Sequence, residues 1–555
     1  MKSHKRLTYL FALAVLLVGA LVGVAACGGE EGGTGTSLAG GEKPVSGGTF
    51  KIYIGEPAFI DPVNLQESEG TQVGNQLFDS LTMFDYKTGN LLPAAAEKWE
   101  ANADATVWTF HLVKDAKFHN GRKVTAADFK YAWERICNPA NESEISYHLS
   151  CVKGYDAMQE GKATELEGVK VIDDYTLEVT LSYPFGDFEY VVGHPALAPV
   201  PKEEVEKDPK AFSEMPIGNG PFKMAEPWQH DQYIKVVRFD DYYGQKAHAD
   251  GIDFMIFNDD ETAFMEFEAG NLDMAVIPSG RVKEVMQKYG VSDDGLEVAP
   301  GKQTLTGPET AIYYLTVNNK DQYLSNKALR QALSLAINRQ AICDTIFEGL
   351  REPATGIVPW GVAGYIKDQW PYSKYDPEAA KAKLAEAGYP NGQGLPEITL
   401  SCNSGRGHED ILAMVQADFA AIGVKSKIEA IEWAQYLDKL GAGTYQIGRL
   451  GWIADYPIMD NFLYPLFTTG SGDNYSFYSN PAVDQALLAA RSIVNTEERI
   501  AKYQEIERTI GEDAPVIPIT MYRHGRVGSD RVRGLVESPQ GLYNLEQAWI
   551  VKDRQ

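Results

Sequence analysis

The sequence predicts an α/β protein assembled from several domains, and three observations carry that prediction. The chain has 555 residues, more than one hydrophobic core supports, and at about 100–200 residues per domain it divides into roughly three or four pieces. Hydrophobic residues make up 44% of it, the share found in chains that bury a substantial core. From Pro308 onward, apolar runs of strand length alternate with stretches whose apolar residues recur at helical spacing. That alternation marks an α/β lobe with largely parallel strands.

Acidic residues outnumber basic ones, 77 to 51, giving a formal charge of −26. No Lys/Arg run occurs outside the extreme N-terminus, so the field repels nucleic acid and suits a freely soluble exported domain. At that terminus Lys2, Lys5 and Arg6 precede an uncharged apolar core from Leu7 to Val24, and Ala25 and Ala26 lead to Cys27. A span of this length fits either a cleaved targeting segment or a membrane anchor. The ending LVGVAAC resembles a bacterial lipoprotein signal, which implies cleavage before Cys27 and lipid on that residue. Residues 28–47 are rich in Gly, Ser and Thr, a flexible tether with an average reach of roughly 25 Å.

After the tether, GGTFKIYI alternates as a strand and turns at Asp61-Pro62, and the polar loop Glu67-Ser68-Glu69 leads into a helix. Trp108, Phe110 and Leu112 alternate with Thr109 and His111 as a half-buried strand does. Thr125 and Asp128 make a capping-box start for a helix with Phe129, Trp133 and Ile136 on one face. His111 and His119 read as structural or solvated, not as metal ligands. Gly168–Leu181 reads as a hairpin around Asp173-Asp174, and IGNGPF, Ile217–Phe222, punctuates the chain where it leaves this second domain. Strands follow at Tyr233–Phe239 and Ile252–Phe257, then a helix stopped at Gly270.

Beyond Pro308 come a strand, AIYYLTVNN, and a helix with Leu329, Leu333, Ala336 and Ile337 on one face. Another helix ends at Gly388. Helix His408–Ile422, strand Val424–Ile428 and helix Trp433–Leu440 lead to Tyr445; Pro481–Asp513 is mostly helical and acidic, and VIPITMY from Val516 makes the last strand. Four cysteines stand beyond Cys27. Export permits disulfides, and the expected pairs are Cys137–Cys151 and Cys343–Cys402. Neither a C-x-x-C motif nor Cys/His clustering supports zinc, and neither metal nor cofactor is expected.

The segment Tyr445–Phe467, YQIGRLGWIADYPIMDNFLYPLF, is the candidate ligand-binding seam. Gly448 and Gly451 inside a strand mark places where another backbone or a ligand comes close. Asp455 lies between Trp452 and Tyr456. In a closed, dry site such a carboxylate calls for a cationic partner, whereas in an open one it opens the Tyr456-Pro457 turn.

Trp452, Asp455, Tyr456 and Phe462 fall at the spacing W-x-x-D-Y-x-x-x-x-x-F, with Trp433 upstream. The segment thereby resembles family 5 extracellular solute-binding proteins, the oligopeptide- and dipeptide-binding receptors of ABC importers. Ile458 and Met459 depart from the Asp-Pro that members often carry, and Leu440 from a basic residue found in some. The resemblance implies a type II periplasmic-binding-protein clamp with an extra domain, that is, residues 48–79, 217–305 and 515–555 as domain I, 80–216 as domain II and 306–514 as domain III. It implies Asp455 on a peptide's α-ammonium, Trp452, Tyr456 and Trp433 around it, Gly451 along the ligand backbone, and Ser68 and Glu69 against it. Arg449 is a candidate for a carboxylate or for a structural ion pair.

The implied partners are a peptide and ABC permease subunits, with a lipid anchor at the outer face of the cytoplasmic membrane and a monomeric chain. A receptor for an oligosaccharide, nickel or metal chelate is the alternative. An exported hydrolase ranks below both, because the sequence has no hydrolase elbow, H-E-x-x-H, Walker A loop or complete G-x-G-x-x-G.

Overall fold

The structure, a computed structural model, describes residues 43–551 except 66, 279, 405 and 406, and excludes the side chains of 433 and 434. The signal segment, Cys27 and the tether to residue 42 lie outside the described residues. Pro44 onward forms one unit built on three principal sheets.

Distant parts of the chain supply the seven-stranded sheet. In Thr49–Ile54, Phe50, Ile52 and Ile54 turn into the core, and the strand pairs in parallel with Gly251–Ile256 on one side and Met274–Val276 on the other. Arg526–Gly528 then adds antiparallel to Met274–Val276 and to Thr304–Leu305. This lobe therefore closes only when the last thirty or so residues have been placed.

Inserted between its first two parts is a four-stranded antiparallel sheet running from Ala96 to Thr180. The predicted alternation holds: Trp108, Phe110 and Leu112 are buried. The helix Ala126–Cys137 begins with the Thr125/Asp128 capping box and buries Phe129, Trp133 and Ile136. At the exit, the Asn219 carboxamide receives Asp79 N (3.0 Å) and donates to Asp79 O (2.9 Å), so the outgoing strand is sewn to the incoming one. A Cβ on Gly218 would meet Leu77 O at 1.9 Å, which explains the glycines of IGNGPF.

The six-stranded sheet corrects two expectations. Its order is Glu352–Pro353, Val516–Arg523, Pro308–Val317, Ile447–Ile453, Ile398–Asn403, Ser426–Ile431. Only the last three are parallel; the first four pair antiparallel. Burial on both faces removes alternation from a central strand, and an apolar run says nothing of direction. VIPITMY also stays in this sheet instead of returning to the first lobe, so the return falls after Arg523, not at 515. The two crossovers, Leu305 to Pro308 and Arg523 to Arg526, lie side by side, with His524 N donating to Gly307 O (3.0 Å).

The expected disulfides are absent. Cys137, Cys151, Cys343 and Cys402 are free, buried thiols. Cys137 ends its helix and Cys151 follows a short turn, both packed in the largest apolar cluster, while Cys402 packs in the core of the six-stranded lobe. They act as small apolar side chains. Burial pushes the Cys137 and Cys151 thiols up to about 12, which keeps them protonated and unreactive.

Candidate functional site

Strand Ile447–Ile453 carries the predicted seam into the heart of the molecule. Its register against Pro308–Val317 runs without interruption from Ile453↔Ala311 to Ile447↔Val317. On its other edge only Ile447 and Gly448 are paired, with Leu400 and Ser401. From Arg449 to Ile453 that edge has no strand partner among the described residues. A Cβ on Gly448 would meet the Tyr436 hydroxyl at 2.9 Å and one on Gly451 the Tyr522 hydroxyl at 3.2 Å, so both glycines mark close approaches.

Where the strand ends, Asn461 in the first turn of helix Asp460–Phe467 organises the chain. Its Oδ1 accepts from Trp452 Nε1 (3.2 Å) and Asp455 N (3.1 Å), and its Nδ2 donates to Asp455 Oδ2 (2.9 Å). The Tyr147 hydroxyl, from the inserted domain, donates to Asp455 Oδ1 (3.1 Å). Both Asp455 oxygens thus receive neutral donors, and no Lys or Arg among the described residues pairs with it. Burial raises its pKa, opposed by the hydrogen bonds from Asn461 and Tyr147. His194 is itself buried and held at about 3, hence neutral, and it stacks on His148 at 4.9 Å. Tyr456 is buried beneath, its ring 6.0 Å from His148.

Asp455 lines a cavity of about 450 Å³ to which all parts of the chain contribute: Glu67, Ser68 and Glu69 from the first lobe, His194 from the inserted domain, Ile453 from the seam, and Gln540 near the C-terminus. Ser68 and Glu69 thus line the same cavity as Asp455. The structure also refines that loop. Glu67 caps helix Ser68–Leu77, accepting from Gly70 N (2.9 Å) and Ala58 N (3.0 Å); burial raises its pKa, and the neighbouring Glu69 adds to the rise. Ser68 is exposed and Glu69 half-buried on the first turn.

Arg449 departs from the other candidates. Its guanidinium lies over the Tyr313 ring at 5.1 Å, Nη1 donates to Asn403 Oδ1 (3.2 Å), and it lines a separate cavity of about 850 Å³. The reason is strand geometry: residues 449 and 455 are far enough along the chain to serve opposite ends of one seam. Trp433 starts a helix, Trp433–Gly441, and its side chain lies outside the described residues. Sequence reasoning passed over Tyr147, His194 and Gln540, which share no local pattern. Asn461 had a signal, standing just before Phe462 of the recognised spacing.

Two sheet-centred lobes joined by paired crossovers, with a cavity walled by both, define a bilobed solute-binding clamp. Residues 90–474 match the family described as Bacterial extracellular solute-binding proteins, family 5 Middle. The chain belongs to that family, which consists of extracytoplasmic binding proteins and not enzymes. It is 30% identical over 551 residues to the oligopeptide-binding protein OppA of Bacillus subtilis (strain 168), covering 97% of this chain and 98% of that one. Among solved structures it resembles the unliganded open form of the periplasmic murein tripeptide binding protein MppA, at TM-score 0.79 and 27% identity over 92% of this chain and 98% of that one. It also resembles Haemophilus influenzae OppA in complex with RPPGFSPFR, at TM-score 0.71 and 28% identity over 91% and 99%.

Proposed function

We propose that this protein captures short peptides outside the cytoplasmic membrane and delivers them to the permease subunits of an ABC importer. The observation that carries the reading is Asp455. It is a half-buried carboxylate, held by two neutral donors, in a cavity walled by both lobes; Arg526 lines the same cavity but pairs with Glu537, and no Lys or Arg of the described residues is ion-paired with Asp455. A peptide's α-ammonium supplies a cation, and a charge-assisted hydrogen bond to it offsets the cost of keeping the carboxylate ionised.

The rest of the ligand has a place along the seam. The strand edge from Leu450 to Ile453, which includes Gly451, suits addition of an extended backbone; at Arg449 the carbonyl already accepts from the Tyr436 hydroxyl (2.7 Å). Trp452 and Tyr456 flank the ammonium end, and Ser68 and Glu69 face the ligand from the first lobe. Arg449, at the other end of the edge, is available to a carboxylate. Domain boundaries at the paired crossovers let the lobes close by hinge motion. The mature chain is held at the membrane by lipid on Cys27 and works as a monomer.

Mass spectrometry of solute carried through native purification tests the assignment. Peptides in the bound fraction are the expected result. A sugar or metal chelate there, with no peptide, places the chain with receptors for other solutes; turnover of the bound solute makes it a hydrolase.

A further inference from the structure

Two side chains in the wall of the Asp455 cavity hold polar atoms that are buried and have no partner among the described residues: Gln540, at both Nε2 and Oε1, and Thr71, at Oγ1. Buried polar groups are nearly always paired, so such orphans point to something that completes them.

Neither is loosely placed. Gln540 sits on the turn Ser538–Gly541, closed by Gly541 N donating to Ser538 O (2.8 Å) and by Ser538 N donating to Leu542 O (2.8 Å). Gly541 takes φ +79°, a conformation that suits glycine. Thr71 lies in helix Ser68–Leu77, which is fastened to the same turn. Gln72 Nε2 donates to Gly541 O (2.9 Å) and Gln72 Oε1 accepts from Tyr543 N (3.2 Å), while Gln76 Nε2 donates to Tyr543 O (3.0 Å). The contrast is informative: Gln72 is satisfied at both ends of its amide, and Gln540, one turn away in space, is satisfied at neither.

A carboxamide presents one donor face and one acceptor face in a fixed plane, complementary to the C=O and N–H of a peptide unit. We propose that Gln540 is a ligand-binding residue of this cavity. Its Nε2 donates to a backbone carbonyl of the bound solute, its Oε1 accepts from a backbone N–H, and the Thr71 hydroxyl takes a neighbouring polar group. Both amide atoms are buried in this side-chain position, so reaching the solute takes a change of Gln540 rotamer. The proposal rests on the peptide reading and adds to it an amide contact on the lobe that does not carry Asp455.

Gln540→Met removes the amide at nearly constant size. With Ala-Ala-Ala as probe, calorimetry should show affinity about ten-fold lower, the worth of two neutral hydrogen bonds. The melting temperature of the ligand-free variant should be unchanged or higher, because an orphaned polar group has been removed. Ester analogues of Ala-Ala-Ala, each replacing one backbone N–H by oxygen, locate the contact: one ester should weaken binding to the wild type and have no further effect on Gln540→Met. Undiminished affinity in the variant overturns the proposal. So does a lowered melting temperature with unchanged affinity, the mark of a purely structural role. Failure of the wild type to bind Ala-Ala-Ala overturns the peptide reading and the Gln540 contact together, and is seen before any variant is made.

Discussion

Replacing Asp455 by Asn keeps the shape of the side chain and removes its charge. The carboxamide oxygen still accepts from Asn461 Nδ2, and the new N–H2 donates to the Tyr147 hydroxyl, which can accept as well as donate, so both contacts keep a partner while the charge that meets the ammonium is lost. A fully buried ion pair that loses one partner costs about 3–5 kcal/mol, but Asp455 is half-buried and its field is screened accordingly. A charged hydrogen bond of about 1.5–3 kcal/mol is the fitting magnitude, a weakening of roughly 10- to 150-fold. Acetylating the peptide's N-terminus removes the same interaction from the other side. The two losses should therefore not add: the acetylated peptide on Asp455→Asn should bind about as weakly as either single change, and calorimetry on the four combinations measures the coupling.

The same experiment has a pH dimension. Burial raises the Asp455 pKa above the ordinary carboxylate value, so on acidification the wild type should lose affinity at a higher pH than an exposed aspartate allows. Asp455→Asn should not show that loss. Equal binding of free and acetylated peptides to the wild type, or fully additive losses, refutes the assignment of Asp455 to an α-ammonium.

Three further outcomes follow from particular groups. Glu507 is 1% exposed, its Oε1 accepts from Ile357 N and Val358 N, and burial pushes it up to about 7 from an ordinary 4.5. A raised carboxyl pKa stabilises the fold below the unfolded value and is lost as pH rises through the folded one. Denaturation should therefore show stability falling by about 3 kcal/mol between pH 4.5 and 7, and Glu507→Gln, which keeps the acceptor oxygen, should flatten that slope. In protein starting at residue 28, a thiol reagent should find four reactive groups after denaturation and essentially none before; fewer than four without reductant refutes the free-thiol assignment. Cys27→Ala should abolish lipid attachment and release the chain from membranes, read by intact mass and fractionation. Wild type retaining residues 1–26 without lipid defeats the anchor.

Much of the molecule is legible in short stretches of text because the forces that shape it there are local. The capping box at Thr125 and Asp128, the Val107–Leu112 alternation and the hairpin between Val169 and Thr180 each depend on residues a few positions apart, and each formed as read. The spacing from Trp452 to Phe462 was enough to single out Asp455, since one strand end and one helix start hold the whole motif. What the text does not carry is direction and encounter. A strand buried on both faces, such as Pro308–Val317, looks the same whichever way its neighbours run, and only packing chose the antiparallel centre. Close spacing of Cys137 and Cys151 invited a bridge, yet both thiols are spent on filling a core. The cavity itself brings Glu69, His194, Asp455 and Gln540 to one place from the two ends and the middle of the chain. Burial at that meeting point raises the Asp455 pKa and leaves Gln540 without a partner. Both are properties of the surroundings and not of the residues, so they come into being only when the lobes have folded around the space they share.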